Sequence, residues 1–248
     1  MTERAEDSQA GALRAFTLLS ALRPDWGGAL VVCCGLGPGG SALSFAANVA
    51  GAGCLTIDAR ADVCRGALRS GACDFVVNTV DEALRVLKNE IRQRRPVSVG
   101  LTLDSTAGLD ALVDRGVLPE LFSVFRSDGD IVVPATPTWD RALQAFTPLG
   151  TVVADFDQSF LGVEGILNAR TRLANFTKDR ELTFESFAFD SAEQLRAFDA
   201  SLLHIIPATD PRHRWCAAAP RIFHRDRPCR RVIFLTAKER QRATAELN

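Results

Sequence analysis

Apolar side chains recur at Leu13, Phe16, Leu19 and Leu22, and this three-residue rhythm predicts an amphipathic helix over Ala12 to Leu22 that Pro24, Gly27 and Gly28 bring to an end. From Ala29 to Cys34 the pattern becomes a continuous apolar run, as expected of a strand covered on both faces. The run breaks at Gly35-Leu36-Gly37-Pro38-Gly39-Gly40, and the small residues from Ser41 to Ala50 predict a helix lying close against a sheet. Leu55 to Ile57, ending on Asp58, completes a strand-helix-strand unit.

The alternation continues with a helix near Asp62 to Ser70, a strand at Phe75 to Val77, a helix from Val80 to Arg94 and a strand from Val97 to Leu103. Leu109 to Arg115 reads as a helix and Leu121 to Phe125 as a strand. Such alternation predicts an α/β fold with a doubly wound, mostly parallel sheet and helices on both faces, a Rossmann-like arrangement. Beyond about residue 135 the rhythm loosens. Helices are expected at Trp139 to Phe146, Phe160 to Ala174 and Ala192 to Ser201, an alternating strand at Leu182 to Phe189, and short apolar runs at Leu203 to Ile206 and Val232 to Leu235. The expected division is a nucleotide-binding unit over 1–150 and an α/β extension over 151–248 that packs on the same sheet.

The glycine segment follows a strand and opens a helix, with Gly35, Gly37 and Gly40 in Gly-x-Gly-x-x-Gly spacing. The first glycine permits the tight turn, the second lets a phosphate reach the backbone, and the third allows helix-to-strand contact. Amides at the helix start then face an anion. Asp58 ends the next strand, where a carboxylate accepts hydrogen bonds from both ribose hydroxyls of an adenosine; that choice favours NAD over NADP. The candidate cofactor site is Gly35, Leu36, Gly37, Gly39, Gly40, Ser41 and Asp58, with Asp104 and Ser105 at the end of a further strand. For Asp104 and Ser105 a helix cap is the plainer role.

Composition narrows the partners. The formal net charge is −1 and the pI about 6.3, so no global field draws the chain to nucleic acid or an anionic membrane. Small molecules, above all a dinucleotide and a small-molecule substrate, are the expected partners. No secretory leader or membrane-spanning run is legible, and a cytoplasmic location is expected. Seven cysteines, several inside apolar runs, read as buried hydrophobes rather than a disulfide framework.

From about Leu13 to Pro134 the chain resembles the NAD-binding insert of urocanase. The likeness runs through Phe16, Gly27-Gly28, Gly35-Leu36-Gly37, Ala50-Gly51 and Cys54-Leu55-Thr56-Ile57-Asp58, where urocanases end a similar strand in glutamate. Leu68-Arg69-Ser70-Gly71, Asp81-Glu82-Ala83-Leu84, Val99-Gly100-Leu101 and Leu112-Val113 with Arg115-Gly116-Val117 and Pro119 are similar to family segments in the same order. The resemblance implies NAD⁺ used as an electrophile by a hydratase, a lyase reaction without net hydride transfer, and a homodimeric assembly.

Departures qualify that implication. After Gly-Leu-Gly, urocanases carry a Gly-Met segment and then Gly-Ala-Gln, and here Ser41-Ala42-Leu43 puts leucine at the glutamine's place. The tyrosine after Arg-Thr-Gly is Ala72, the Gly-Asn pair becomes Leu103-Asp104, and Gln-Thr-Ser-Ala-His-Asp becomes Phe125-Arg126-Ser127-Asp128-Gly129-Asp130. Urocanases are about twice as long, and their core domain supplies a catalytic aspartate and a cysteine that residues 150–248 do not match. The expectation is a degenerate hydratase or a binding module, with no catalytic residue assigned.

Other constellations were weighed. His213, Cys216, His224 and Cys229 are acceptable zinc ligand types in an unfamiliar spacing. Seven arginines within Arg212 to Arg231 read as a solvated or partner-facing loop, and those from Arg221 through Arg225 and Arg227 to Arg230 and Arg231 as able to grip a phosphate. Cys33 and Cys34 border the glycine loop, where a redox role would need exposure and a lowered pKa. A methyltransferase binding S-adenosylmethionine is the rival enzyme class, because its ribose wants the same acid. An interaction protein with an empty loop is the third reading, favoured by Pro38, which lacks a backbone donor, and by Leu43.

Overall fold

The computed structural model describes residues 2–125, 136–156, 165–224 and 228–245, with side chains from Ser8 onward. Seven parallel strands form the central sheet in the order β3-β4-β2-β1-β5-β6-β7: β1 (Leu30–Cys34), β2 (Gly53–Asp58), β3 (Phe75–Val77), β4 (Val97–Thr102), β5 (Leu121–Val124), β6 (Val152–Asp155) and β7 (Leu167–Asn168). Every residue of β1, β2 and β5 is buried, which explains why the inner strands are continuous apolar runs.

Helices α1 (Thr2–Leu22), α2 (Pro38–Ala50) and α3 (Ala61–Ser70) pack through Leu13, Phe16, Leu19, Leu43 and Ala67 on the face shown by Val31, Cys33 and Cys54. On the opposite face α4 (Val80–Arg92), α5 (Ser105–Asp114) and α6 (Pro137–Phe146) cover Leu30, Val32 and Cys34, with Phe122 between Trp139 and Phe146. From β1 the chain turns through α2 to β2 on one side, and from β4 through α5 to β5 on the other. The strand order therefore reverses between β1 and β5, the switch point at which sheets of this kind bind ligands in a crevice outside the carboxyl ends of the strands.

The second half departs from the alternation. Helices α7 (Ala169–Asp179), α8 (Ala192–Ile205), α9 (Pro211–Ile222) and α10 (Ala237–Ala245) accompany an antiparallel pair, β8 (Thr183–Phe189) and β9 (Cys229–Leu235), which packs on the α1 side. Leu203 to Ile205 belongs to the last turn of α8 rather than to a separate element.

Three expectations are corrected. The helix expected over Phe160 to Ala174 begins only at Ala169, because Leu167 pairs with Ala154 in the sheet and the Asn168 side chain accepts the Thr171 amide as a helix cap; residues 160–164 lie outside the described residues. The arginine-rich loop is α9 followed by β9, with Arg212, Trp215, Cys216, Arg230 and Arg231 buried. Strand β6, with no counterpart in the sequence reading, joins the sheet beside β5. No described helix is long and apolar enough to cross a membrane.

Candidate functional site

Gly35 leaves β1 with φ 91°, a left-handed conformation that glycine takes without strain, and its N–H continues the ladder to the Ile57 carbonyl at 2.7 Å. Gly37 caps α2 with extended backbone and no side-chain cap, and Pro38 takes the first helical position, where its fixed φ is already helical and its missing N–H costs nothing. The helix thus starts three residues earlier than the expected Ser41 and takes Gly39 and Gly40 into its first turn.

Each glycine meets different surroundings. A Cβ at Gly40 would stand 1.9 Å from the Gly35 carbonyl oxygen, so the helix can approach the loop only through glycine. A Cβ at Gly39 would meet the Phe125 ring at 2.3 Å, so this aromatic side chain, just past β5, packs against the first turn. Among the described residues, a Cβ at Gly37 would meet nothing within 4 Å. Amides in the first turn of a helix have no intrahelical acceptor, so the open side of Gly37 is where an anion could approach the backbone.

Asp58 is 1% exposed. Its Oδ2 accepts the Leu36 amide at 2.8 Å and Arg60 Nη2 at 3.0 Å; its Oδ1 accepts the Arg60 amide at 2.9 Å and Arg60 Nε at 3.0 Å. Four donors fill the acceptor sites of one carboxylate. A ribose could reach it only by displacing Arg60, whose side chain keeps 34% of its surface in solvent.

Burial works against ionising Asp58, but the Arg60 side-chain bonds, the Leu36 and Arg60 amides and the Arg60 charge outweigh it and hold the pKa below its ordinary value. A depressed folded-state pKa contributes stability that is complete above the unfolded value and is lost as pH falls through the folded one. Acid should therefore weaken the fold below about pH 4, and Asp58→Asn should flatten that fall. Urea midpoints measured between pH 5 and pH 3 check this.

The remaining expected residues are placed as follows. Leu36 is buried, and Ser41 turns its hydroxyl back to the Leu36 carbonyl at 3.2 Å. Asp104 caps α5 by accepting the Ala107 amide at 3.0 Å, which moves the helix start from the expected Leu109 to Ser105. Ser105 is buried and donates to the Ile57 carbonyl at 3.4 Å. Both sit past β4, on the β2 side of the crevice.

The metal constellation does not assemble. Cys216 is buried in α9 and Cys229 at the start of β9, while the His224 ring bonds the Arg221 carbonyl; among the described residues no three His, Cys, Asp or Glu side chains group to hold an ion. Two of the arginines are committed elsewhere. Arg212 binds Asp210 and Glu239, and Arg231 binds Asp199. Arg225 and Arg227, like residues 126–130 of the resemblance, lie outside the described residues.

All seven cysteines are buried. Burial pushes the Cys54 thiol up to about 11 and Cys216 up to about 12, and Cys33 and Cys34 are sealed in β1, so the surroundings for a reactive thiolate are missing.

Arg60 and Phe125 are the site residues that the sequence reading missed. For Arg60 the signal is a spacing of two residues from Asp58, which permits the contact without requiring it. Phe125 had none, because its contact with Gly39 depends on the register of β5 against β1, where the Phe125 amide bonds the Cys34 carbonyl at 2.8 Å. Residues 14–147 match the family described as the urocanase Rossmann-like domain, a span that contains the loop, Asp58, Arg60 and Phe125.

Proposed function

The chain belongs to the urocanase Rossmann-like domain family, and from that membership we propose that it binds NAD across the carboxyl ends of its strands without hydrating urocanate. The observation that carries the reading is the open approach to Gly37 beside a buried carboxylate already tied to the same loop. Gly37, Gly39 and Gly40 would hold the diphosphate through their amides, and Asp58 would hold the adenosine ribose once Arg60 swings into solvent. Bound NAD⁺ would supply an electrophilic ring, and this chain's residues would orient it and exclude water.

Leu43 supports the loss of the hydratase reaction. It stands where the family carries a glutamine, and it is fully buried in the core between α2 and the sheet, so it offers no amide to a ligand. Ala72, in place of the family's tyrosine, is likewise buried. In this reading residues 1–150 form the nucleotide-binding unit and 151–248 build onto it.

NAD⁺ should raise the melting temperature, while S-adenosylmethionine and S-adenosylhomocysteine should not, because only a ligand that prefers the native state stabilises it. Urocanate absorbance should stay constant on incubation. A shift with S-adenosylmethionine alone would transfer the site to the methyltransferase class.

Arg60→Ala removes the side-chain donor from each Asp58 oxygen and leaves the Leu36 and Arg60 backbone amides in place. A hydrogen bond to a charged group contributes about 1.5 kcal/mol, so NAD⁺ affinity should rise roughly tenfold by isothermal titration. Weaker binding would assign Arg60 to holding the nucleotide instead of competing with it. The saturated Asp58 and the Phe125 ring on Gly39 also favour a second reading, an interaction protein with an unused loop. That reading predicts no shift with any of these nucleotides.

A further inference from the structure

Between α1, α7 and the β8–β9 pair lies a cavity of about 590 Å³, within the range of small-molecule sites, roughly 300–1,000 Å³. The apolar part of its lining is formed by Leu18, Leu173, Phe156, Phe184 and Phe234, the last two packed edge to face at 5.7 Å. Arg14 and Arg170 stand in its wall. Arg14 lies over the Phe184 ring at 5.4 Å, and among the described residues neither arginine has a carboxylate partner and no carboxylate lines the cavity.

We propose that this cavity, with its aromatic and aliphatic floor and two arginines without a carboxylate partner, binds an amphipathic anion: an apolar chain or ring system ending in one carboxylate or sulfonate. The apolar body gains by leaving water, at roughly 25 cal/mol per Å². The head group meets two guanidiniums, which hold carboxylates bidentately. The first turn of α7, Ala169 and Arg170, also lies in the wall and adds the positive end of a helix dipole. A cation would face two like charges, and a neutral chain would leave both arginines unanswered.

Arg14 and Leu18 fall within residues 14–147, but the walls from α7, β8 and β9 and the second arginine, Arg170, lie beyond them, so the family match covers only part of this site. It nevertheless adjoins the crevice. The Phe156 ring packs on Phe125 at 5.6 Å, and Phe125 covers Gly39, so two rings separate the cavity from the glycine loop. The inference stands without any bound nucleotide.

Isothermal titration of the full chain with decanoate, decanol and decyltrimethylammonium tests it, with no nucleotide present. Decanoate should bind one per chain and at least tenfold more tightly than either of the others. The double variant Arg14→Gln, Arg170→Gln alters two exposed side chains and should erase that preference, leaving decanol unaffected. Ala174→Trp, also at an exposed position in the wall, should block decanoate while the melting temperature stays unchanged. No decanoate heat, equal affinity for decanol, or a preference that survives the double variant would each overturn the proposal.

Discussion

Gly40→Ala is expected to lower the melting temperature of this chain by about 6–12 °C, on a cost of about 3 kcal/mol. The reason is local. The new methyl group would sit 1.9 Å from the Gly35 carbonyl oxygen and 2.9 Å from its carbon, and both belong to backbone that cannot rotate aside. Helix α2 would have to lift from β1, loosening Leu43, Ala46 and Ala47 in the core. Alanine is the better helix former by up to about 1 kcal/mol, which offsets only part of the cost.

Gly37→Ala is the contrasting change, since its methyl group meets nothing within 4 Å among the described residues and its φ of −66° suits any residue. Stability should move by less than about 1 kcal/mol, while dinucleotide affinity should fall roughly tenfold if the phosphates approach there. Thermal melts and titrations on the two variants separate the glycine that the fold requires from the glycine that the ligand requires. Equal losses of stability at both positions would contradict the division.

Arg231→Met is expected to cost about 3–5 kcal/mol, because it strands a buried carboxylate. Arg231 on β9 is 1% exposed and meets Asp199 of α8 through Nε at 2.6 Å and Nη2 at 2.7 Å, with the Ala219 carbonyl at 3.4 Å. Removing the arginine leaves Asp199 without its cation in a region sealed by Phe198, Trp215 and Ile233. The double change Asp199→Leu, Arg231→Met removes both charges and should recover most of the loss, to within about 1 kcal/mol of the parent. Urea midpoints across the four-member cycle measure it. Full additivity of the two single changes would mean that the pair does not act as a unit.

The inner sheet was legible because each strand is buried on both faces and so wears its role as an unbroken apolar run, and because Gly51, Gly71 and Gly116 punctuate the returns. Helix starts were read late at Ser41 and Leu109, since the reading followed apolar spacing. The chain instead begins those helices at their capping residues, with Pro38 in the first turn of α2 and Asp104 bonded to the Ala107 amide. The second half resisted for a different cause. Strand β8 mixes exposed and half-buried residues, and β9 is wholly buried; they meet across 39 residues of intervening chain, a pairing with no local mark.

The arginine run illustrates the same limit from the side of charge. Composition suggested a solvated loop, yet Arg212 and Arg231 are interior because Asp210, Glu239 and Asp199, scattered along the chain, converge on them. At the candidate site the loop and Asp58 were readable from spacing alone. That Arg60 folds back on Asp58 was not, because two residues of separation permit the contact without requiring it.

Isothermal titration of NAD⁺ into the full chain, carried to millimolar ligand, should give a saturable heat with one dinucleotide per chain, weakened by Gly37→Ala and strengthened by Arg60→Ala. A flat titration with both the parent chain and Arg60→Ala would contradict NAD binding.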